Sequence, residues 1–300
     1  MNRGIYVEIL INGLMETIWE KTQSPGEHVQ WDLRFTGIQY LPRPDESQPQ
    51  RFLYQTRIGL GLAIRGEGET AGQRDSDAGR SSALSFWSND SKSLIRKGAG
   101  YWKYVPVQDG ITFLTWYDYE TRFGIFGRLF DTAFFRPLMG WATAWSFDRL
   151  RLWIEKGVTP AASLQKSVIH GIARVALAAI WIYQGLIPKL MFQSADELRM
   201  LMDAGSSLSS ANALLPVIGL LELLFGLALF ACWRVRWLFQ ISILLMVAAT
   251  VTVSWASPRY LVGAFNPISL NLAVAALSLI GYIAGAEIPS ARRCRRRPQP

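Results

Sequence analysis

The stretch at residues 173–190 reads ARVALAAIWIYQGLIPKL, and it decides the architecture of the second half of the chain. Fourteen uncharged residues separate Arg174 from Lys189, and three longer uncharged runs follow: Ala204 to Leu221, Trp237 to Pro258 and Tyr260 to Ala286. About 20 apolar residues cross a bilayer core as a helix. The pattern therefore predicts four transmembrane helices, near 167–190, 211–233, 236–256 and 266–286.

Composition separates the chain into two halves. Of its 300 residues, 50% are hydrophobic and 18% are charged, which excludes a disordered chain. Residues 1–157 carry 19 Lys and Arg against 18 Asp and Glu, whereas residues 158–300 carry 12 against 5. The positive excess therefore lies beside the apolar runs, where it indicates membrane orientation and not a nucleic acid partner.

The loops between the predicted helices set the orientation. One side collects eight cations, namely Lys166, Arg234, Arg236 and five arginines of the tail 287–300, and the other side holds three, which are Lys189, Arg199 and Arg259. Cytosolic loops are the richer in Lys and Arg, and the first residues lack the apolar run of a signal peptide. We therefore expect a multi-pass protein of the bacterial cytoplasmic (inner) membrane with both termini in the cytosol and the basic tail against anionic lipid headgroups.

Ionisable residues inside a bilayer are costly and informative. Counting 1.5 Å per residue from the cytosolic ends, Arg174 lies about 12 Å deep and Glu222 about 18 Å deep, which predicts an ion pair between them. His170 lies one turn from Arg174, and Lys189 ends the first helix. Two interpretations stay open for the four residues: a structural clasp, or a polar site for a ligand headgroup or a quinone carbonyl.

Two of the predicted helices resemble a known family. The first helix carries Arg174, Gly185 and Lys189, and the second carries the pattern Gly-x-x-Glu-x-x-x-Gly within Pro216–Gly226 (PVIGLLELLFG). The spacing of these residues is similar to that in the DoxX family of small four-helix bacterial membrane proteins. The namesake of that family is a subunit of an archaeal thiosulfate:quinone oxidoreductase. The resemblance implies a four-helix bundle, and it makes quinone binding, with a redox partner subunit, the alternative function.

The first half has the pattern of an α+β domain. Residues 5–11 alternate like a half-buried strand, and 14–22 follow as a short helix. Strands are predicted near 34–41, 51–65, 66–74, 80–88, 94–105 and 110–121, separated by turn signals such as Asp109-Gly110. A long helix from Ile125 to Lys156, kinked or split at Pro137, closes the domain.

This order of strands and helices resembles the helix-grip fold of START-like proteins and polyketide cyclases (the SRPBCC superfamily). The segment Ser24–Asp32 (SPGEHVQWD) is similar to the turn before the second strand in that superfamily. The predicted fold class is an α+β helix-grip cytosolic domain at 1–157 followed by an all-α, four-helix, DoxX-like transmembrane bundle at 158–300. The superfamily uses the space between its bent sheet and its helix for lipids, sterols and polyketides. The resemblance therefore implies binding of a hydrophobic or amphipathic small molecule, such as a lipid or isoprenoid, beside the bilayer.

Strand alternation identifies aromatic residues that share a face and could line this space. The candidates are Trp102, Tyr104, Phe113, Tyr117 and Tyr119, with Phe130 and Phe134 from the long helix. Core packing is the alternative for each of them. A scaffold whose side chains fill the space, with no ligand at all, stays open as a third function.

The sequence contains no clear catalytic, phosphate-binding or metal-binding arrangement. Asp118 and Glu120 share a strand face, as a carboxylate pair for acid–base work would, but charges on a strand surface are commoner. The glycines near Arg57 lack the following helix N-terminus that a phosphate loop needs. Two histidines and two cysteines, none of them suitably spaced, predict no metal site and no Cys-His or Ser-His-Asp arrangement. The sequence therefore shows no catalytic constellation and predicts no resident cofactor apart from the quinone of the alternative function, and it leaves enzymatic activity open.

Overall fold

The computed structural model describes residues 4–43, 45, 47–59, 61–264 and 266–298. The chain forms two compact units. The first comprises Met1–Ser163 together with Pro289–Pro300, and the second comprises Leu164–Ile288. The predicted division at 157/158 differs from this mainly at the C-terminal tail, which belongs to the first unit.

The first unit contains one seven-stranded antiparallel sheet with the strand order β1-β7-β6-β5-β4-β3-β2. Its strands are β1 (Ile5–Ile11), β2 (Gly37–Tyr40), β3 (Arg51–Gly59), β4 (Leu62–Ser76), β5 (Gly79–Trp87), β6 (Ile95–Val107) and β7 (Gly110–Thr121). Two short helices, α1 (Met15–Gln23) and α2 (Pro25–Trp31), connect β1 to β2. The segment Ser24–Asp32 is thus a helix, where a turn was predicted, because Pro25 occupies the first helical position.

The long helix that closes the sheet has an irregular beginning. It consists of α3 (Gly124–Phe130), a π-helical stretch (Asp131–Phe135) and α4 (Arg136–Lys156). The predicted interruption therefore precedes Pro137, which lies in the first turn of α4. Gly157 ends α4 with φ of 65°, a left-handed conformation that glycine adopts without strain. Strand, two helices, curled sheet and closing helix form the helix-grip arrangement, which confirms the predicted fold.

The core of the first unit lies between α4 and the strands β1, β6 and β7. Alternate residues of β1 and β7 are buried, and Phe147 and Leu150 of α4 pack on them. The predicted faces of β7 are confirmed, because Phe113, Tyr117 and Tyr119 are buried in this way. Aliphatic and aromatic side chains on one sheet face, covered by one helix, supply the apolar burial that stabilises the unit.

The C-terminal tail joins this core. The backbone of Arg295 exchanges two hydrogen bonds of 2.9 Å with Glu8 at the edge strand β1. Cys294 is buried, and Ser290 N donates a 2.7 Å hydrogen bond to Asp148 of α4. The tail was expected against lipid headgroups, and its residues Ser290–Arg295 instead complete the sheet edge and the core.

The second unit is helical. Four helices are long and apolar enough to cross a membrane: Pro160–Met191, Leu208–Ala231, Trp237–Ala256 and Pro267–Ala284. The first consists of α5 (Pro160–Gln184) and a π-helical stretch (Gly185–Met191); α7, α8 and α9 are the other three, and α6 (Ala195–Asp203) joins the first two. The four predicted spans are confirmed, with helix ends that differ by a few residues.

Backbone contact between two of the spans depends on small residues. A Cβ atom added at Gly185 would overlap the carbonyl oxygen of Gly219, and one added at Gly226 would overlap Ile182. Small residues permit such close approach of membrane helices. The contact explains the glycines of the Gly-x-x-Glu-x-x-x-Gly pattern as packing residues within this chain.

Candidate functional site

The face of the sheet that packs against α4 is called the inner face here, and it divides into a filled part and a part-exposed part. In the filled part, the Phe113 ring stacks on Phe147 with centroids 4.4 Å apart, and Tyr104 stacks on Phe113 at 5.0 Å. The Tyr104 hydroxyl lies 2.7 Å from Thr22 Oγ1 and accepts a hydrogen bond from Gln23. Tyr104 and Phe113 therefore act as core residues in this structure.

The part-exposed region lies on β3, β4 and β5 and consists of aromatic rings over glycines. Direct cross-strand pairing aligns five residues in one row on the inner face: Tyr119, Gly98, Phe86, Gly68 and Phe52. A Cβ atom at Gly98 would overlap the Phe86 ring, and one at Gly68 would overlap the Phe52 ring. The rings therefore lie flat on the sheet, and we call this set the inner-face row.

Neighbouring aromatic residues extend this surface towards α2. The Tyr54 ring lies over Gly66, and it makes an edge contact with Phe35 at 5.7 Å. His28 of α2 lies 5.2 Å from Phe35 and 5.0 Å from Trp102, measured between ring centroids. Phe35, Phe52, Tyr54 and Phe86 are all partly exposed, so part of this surface is open to solvent.

A buried group of charges borders the aromatic surface. Arg34 donates two side-chain hydrogen bonds to Asp32, Nε to Oδ1 at 2.9 Å and Nη2 to Oδ2 at 2.6 Å, while His28 Nε2 lies 3.0 Å from Asp32 Oδ2. The Asp32 carboxylate is fully buried, and the side chains of Arg34 and His28 are 10% and 12% exposed. We call these three residues the Asp32 cluster.

Electrostatics hold Asp32 and Arg34 ionised. Burial opposes ionisation of Asp32, but the charge of Arg34 and hydrogen bonds from His28 and Arg34 keep the pKa of this carboxyl well below its usual range. Burial opposes ionisation of Arg34 as well, but the charge of Asp32 and interactions with Tyr117 raise the pKa of Arg34. The Arg34 guanidinium lies 5.3 Å from the Tyr117 ring centre. The Arg34 cation is thus held in one orientation among aromatic rings, and a small fraction of its side chain is exposed.

The π-helical stretch carries a second polar contact with the sheet. Tyr119 donates a 2.7 Å hydrogen bond to Asp131, and Arg136 links Asp131 and Asp118 through bonds of 2.9 and 2.8 Å. Burial, with the hydrogen bond to Asp131, raises the pKa of Tyr119. Asp118 thus pairs with Arg136, while Glu120 pairs with Lys97 at 3.2 Å, so the two carboxylates share no site.

The candidates from the long helix lie outside the inner face. Phe130 and Phe134 are 53% and 67% exposed, and their rings contact each other at 5.9 Å. Trp102 and Tyr117 are buried next to the Asp32 cluster, and Tyr119 is the buried member of the inner-face row. The structure therefore gathers three of the seven aromatic candidates around the part-exposed surface, and binding by any of them stays a prediction.

Arg174 in the membrane unit binds backbone carbonyls. Its guanidinium donates to Leu229 and Cys232 at the C-terminal end of α7, at 2.8 and 2.6 Å, and to Val235 at 2.7 Å. Carbonyls at a helix C-terminus carry partial negative charge and attract a cation. The predicted pair with Glu222 was wrong, and the geometry is that of the structural clasp with different partners.

Glu222 pairs with the other membrane cation. Its Oε2 lies 3.0 Å from Lys189 Nζ, and Lys189 Nζ also donates to Glu197 Oε1 at 3.2 Å. The Lys189 side chain is 8% exposed. One cation between two carboxylates compensates the burial cost of Glu222, and the π-helical stretch that contains Lys189 brings it onto α7.

His170 bridges two other carbonyls. Its Nδ1 lies 3.0 Å from Gly281 O and its Nε2 lies 3.3 Å from Trp233 O. Only an N–H donates to a carbonyl, so a neutral ring satisfies one of the two and an imidazolium satisfies both. His170, Arg174 and the Lys189–Glu222 pair are thus held by partners within the unit. The predicted common polar site is not assembled, since Lys189 and Glu222 pair separately from Arg174.

The described residues bring together no group of three or more His, Cys, Asp or Glu side chains that could hold a metal ion. The residues that sequence analysis missed are Asp32, Arg34, Phe52, Tyr54 and Phe86. A signal for the aromatic ones exists in the sequence, because Gly66, Gly68 and Gly98 lie in strands, where glycine often marks close approach of another group.

Comparison with known proteins finds a matching family profile and a related membrane protein. The profile described as the DoxX-like family matches residues 178–279. The chain is 48% identical over 188 residues to "Uncharacterized membrane protein YndG" of Bacillus subtilis (strain 168), which covers 61% of this chain and 69% of that protein. This identity extends over most of the relative, so it shows common membership of one family.

Similar solved structures include a STAR-related lipid transfer protein from Xanthomonas axonopodis, with a TM-score of 0.39, 12% identity, and coverage of 51% of this chain and 86% of that chain. A START superfamily protein from Mycobacterium smegmatis has a TM-score of 0.34, 15% identity, and coverage of 46% and 90%. The helix-grip assignment rests on the strand order itself. The chain is a membrane protein of the family that includes YndG, with a helix-grip domain in front of a membrane region in which residues 178–279 match the DoxX-like family profile.

Proposed function

We propose that the helix-grip domain binds one hydrophobic or amphipathic small molecule, such as a lipid or isoprenoid, beside the membrane. The observation that carries the proposal is the inner-face row. The rings of Phe52 and Phe86 lie flat over Gly68 and Gly98 and stay partly exposed, although covering apolar rings lowers the free energy. Sites for small apolar ligands have this composition, with a few polar groups at one border.

The Asp32 cluster supplies the polar border. Arg34 is held by Asp32 in one orientation, and it retains a small exposed fraction next to Tyr117. A guanidinium fixed in this way can donate to a carbonyl, hydroxyl or carboxylate oxygen of a ligand without losing side-chain entropy on binding. The expected ligand is therefore amphipathic, with its oxygen at Arg34 and its apolar part on Phe52 and Phe86.

The location that we propose is the bacterial inner membrane with both termini in the cytosol. Tail residues Ser290–Arg295 pack into the first unit, and four spans return a chain to the side on which it began. Both observations support a common side for the two termini. The eight cations on that side against three on the other favour the cytosol.

A matched pair of variants tests the ligand. The intact protein, Phe52→Ala and Leu53→Ala are purified in parallel, and bound small molecules are extracted and identified by mass spectrometry against a mock membrane preparation. Phe52 belongs to the inner-face row, whereas Leu53 lies on the opposite face of the same strand and is 40% exposed. We expect one molecular class to be enriched with the wild type and with Leu53→Ala, and depleted with Phe52→Ala.

Two results would reject this function. No enrichment over the mock preparation would leave the ligand-free scaffold as the better account. Enrichment that Phe52→Ala and Leu53→Ala retain equally would place the molecule elsewhere on the protein. Thermal unfolding of both variants verifies that loss of the ligand is not loss of the fold.

A further inference from the structure

A cavity lies in the first unit where β1, the helix that closes the sheet and the C-terminal tail meet. Its volume is about 350 Å³, which is within the range of small-molecule sites. Three arginines line it, namely Arg136, Arg296 and Arg297, and the described residues contribute no Asp or Glu side chain to its lining. The size therefore admits a small molecule, and the lining favours an anion.

The docked tail forms one wall of the cavity. Arg295 pairs with Glu8 in the antiparallel direction through two backbone hydrogen bonds of 2.9 Å. Because the two segments run in opposite directions, the residues that follow Arg295 lie alongside those that precede Glu8. Arg296 and Arg297 thus line the cavity together with Tyr6 of β1. This wall exists only while the tail is docked.

The helix that closes the sheet forms the opposite wall. Thr132, Arg136 and Gly140 line the cavity at a four-residue spacing, which places side chains on one face of a helix. Arg136 donates to Asp131 at 2.9 Å and to Asp118 at 2.8 Å. These bonds hold its guanidinium in place, and the two carboxylates, which lie outside the lining, balance its charge.

The positive charge on the tail side is not balanced. The ion pairs of the tail involve Arg293 and Arg295, whereas Arg296 and Arg297 are exposed and form no ion pair among the residues that the structure describes. Guanidinium groups match phosphate oxygens because they present several N–H donors in one plane. A phosphate monoester carries close to two negative charges at neutral pH. Two uncompensated arginines therefore favour this group over a carboxylate, which carries one charge.

We propose that the cavity binds a soluble phosphate monoester, with its phosphate at Arg296 and Arg297 and its organic part against Tyr6. The ligand contacts the tail and β1 at once, so it binds the docked tail only and stabilises docking. The site is independent of the proposed amphipathic ligand, because the exposed rings Phe52 and Phe86 of the inner-face row lie on β3 and β5 and not at the β1 edge.

Calorimetric titration of the full chain in a neutral detergent tests the site, with the ionic strength held constant by sodium chloride. The probes are glycerol 3-phosphate, a soluble monoester, and dihexanoyl phosphatidic acid, a lipid with the same phosphate group. We expect glycerol 3-phosphate to bind once per chain. Arg296→Gln/Arg297→Gln should raise its Kd by at least about tenfold, since hydrogen bonds between charged groups are the strong ones. Arg57→Gln/Arg74→Gln, which removes two exposed charges elsewhere in the first unit, should retain the wild-type Kd.

The buried thiol of Cys294 reports whether the ligand stabilises docking. Its modification by N-ethylmaleimide requires the tail to undock, because the side chain is buried. At a glycerol 3-phosphate concentration of roughly ten times Kd, the modification rate should fall about tenfold, since the ligand binds only the docked form. Arg296→Gln/Arg297→Gln should lose this protection. The exposed Cys232 should react at an unchanged rate and is the internal control.

Four results would overturn the proposal. Glycerol 3-phosphate could fail to bind at constant ionic strength. Equal Kd values for the wild type and for Arg296→Gln/Arg297→Gln, whose folding is verified by thermal unfolding, would reject the arginines as the phosphate site. Binding of dihexanoyl phosphatidic acid without binding of glycerol 3-phosphate would make this a lipid site. Binding that leaves the modification rate of Cys294 unchanged would place the anion away from the docked tail.

Discussion

The Cys294 thiol, near the C-terminal end of the chain, donates a 3.1 Å hydrogen bond to the carbonyl of Ala144 in the long helix of the first unit. The two residues are separated in sequence by the whole membrane region. Because Cys294 is buried and Arg295 pairs with the edge strand β1, the helix-grip domain is built from both ends of the chain.

Thiol reactivity reports whether the tail is docked. Burial and then the charge of Asp148 raise the pKa of Cys294, and a protonated buried thiol is a poor nucleophile. We expect N-ethylmaleimide to modify the exposed Cys232 and to leave Cys294 unmodified at neutral pH, as measured by intact mass. Both thiols should react after denaturation, and rapid native modification of Cys294 would show that the tail is not docked.

Truncation measures what the tail contributes. A chain that stops after Ile288 loses the two hydrogen bonds with Glu8 and the buried Cys294, so the free energy of unfolding of the first unit should fall by about 3 kcal/mol. A chain that stops after Arg295 keeps these contacts and should unfold at the temperature of the intact protein. Equal unfolding temperatures for both truncations would contradict the role of the tail.

Double-mutant cycles distinguish the two membrane cations. Lys189→Met combined with Glu222→Gln should show a coupling free energy of about 1–2 kcal/mol, because their charged atoms are 3.0 Å apart. Arg174→Met combined with Glu222→Gln should be additive within about 0.5 kcal/mol, since Arg174 binds carbonyls instead. The cycles are measured by detergent-induced unfolding, and the opposite ranking would contradict the observed pairing.

Acid should lower the free energy of unfolding of the first unit because it protonates Asp32. Because the pKa of Asp32 is lower in the folded than in the unfolded chain, its ionised form contributes stability that is present above about pH 4 and is lost as the pH falls through the folded value. Asp32→Asn should lower stability at pH 7 by about 3 kcal/mol, since it leaves Arg34 without its counter-charge.

The pH dependence itself provides the stricter test of the Asp32 cluster. Between pH 7 and pH 3, the wild type should lose about 1 kcal/mol more unfolding free energy than Asp32→Asn does. Glu120→Gln, on an exposed strand face, should follow the wild type. Parallel pH profiles for the wild type and Asp32→Asn would mean that Asp32 is not selectively ionised in the fold.

The sequence predicted the elements better than their side-chain partners. Strand alternation placed Phe113, Tyr117 and Tyr119 on one face correctly, because every second residue of a strand points the same way. It could not show which part of that face α4 covers. Phe130 and Phe134 were predicted only because they lie on the long helix. The structure leaves both exposed, just before and within the π-helical stretch Asp131–Phe135, where the angular spacing of side chains changes.

For the ionisable residues of the membrane unit, too, the sequence did not predict the side-chain partners. Depth along the helices predicted that Arg174 would meet Glu222, because both lie at comparable distances from one surface. Depth does not include the carbonyl groups at the end of α7, which carry partial negative charge and accept hydrogen bonds from the guanidinium. Lys189 reaches Glu222 because another π-helical stretch carries it towards α7.

Binding of an amphipathic molecule on the inner-face row is the central claim, and native mass spectrometry of the intact protein in detergent tests it most directly. The account predicts one adduct of constant mass per chain, retained by Leu53→Ala and lost by Phe52→Ala and by Arg34→Met. A bare protein mass for the wild type, or an adduct that survives in all three variants, would contradict it.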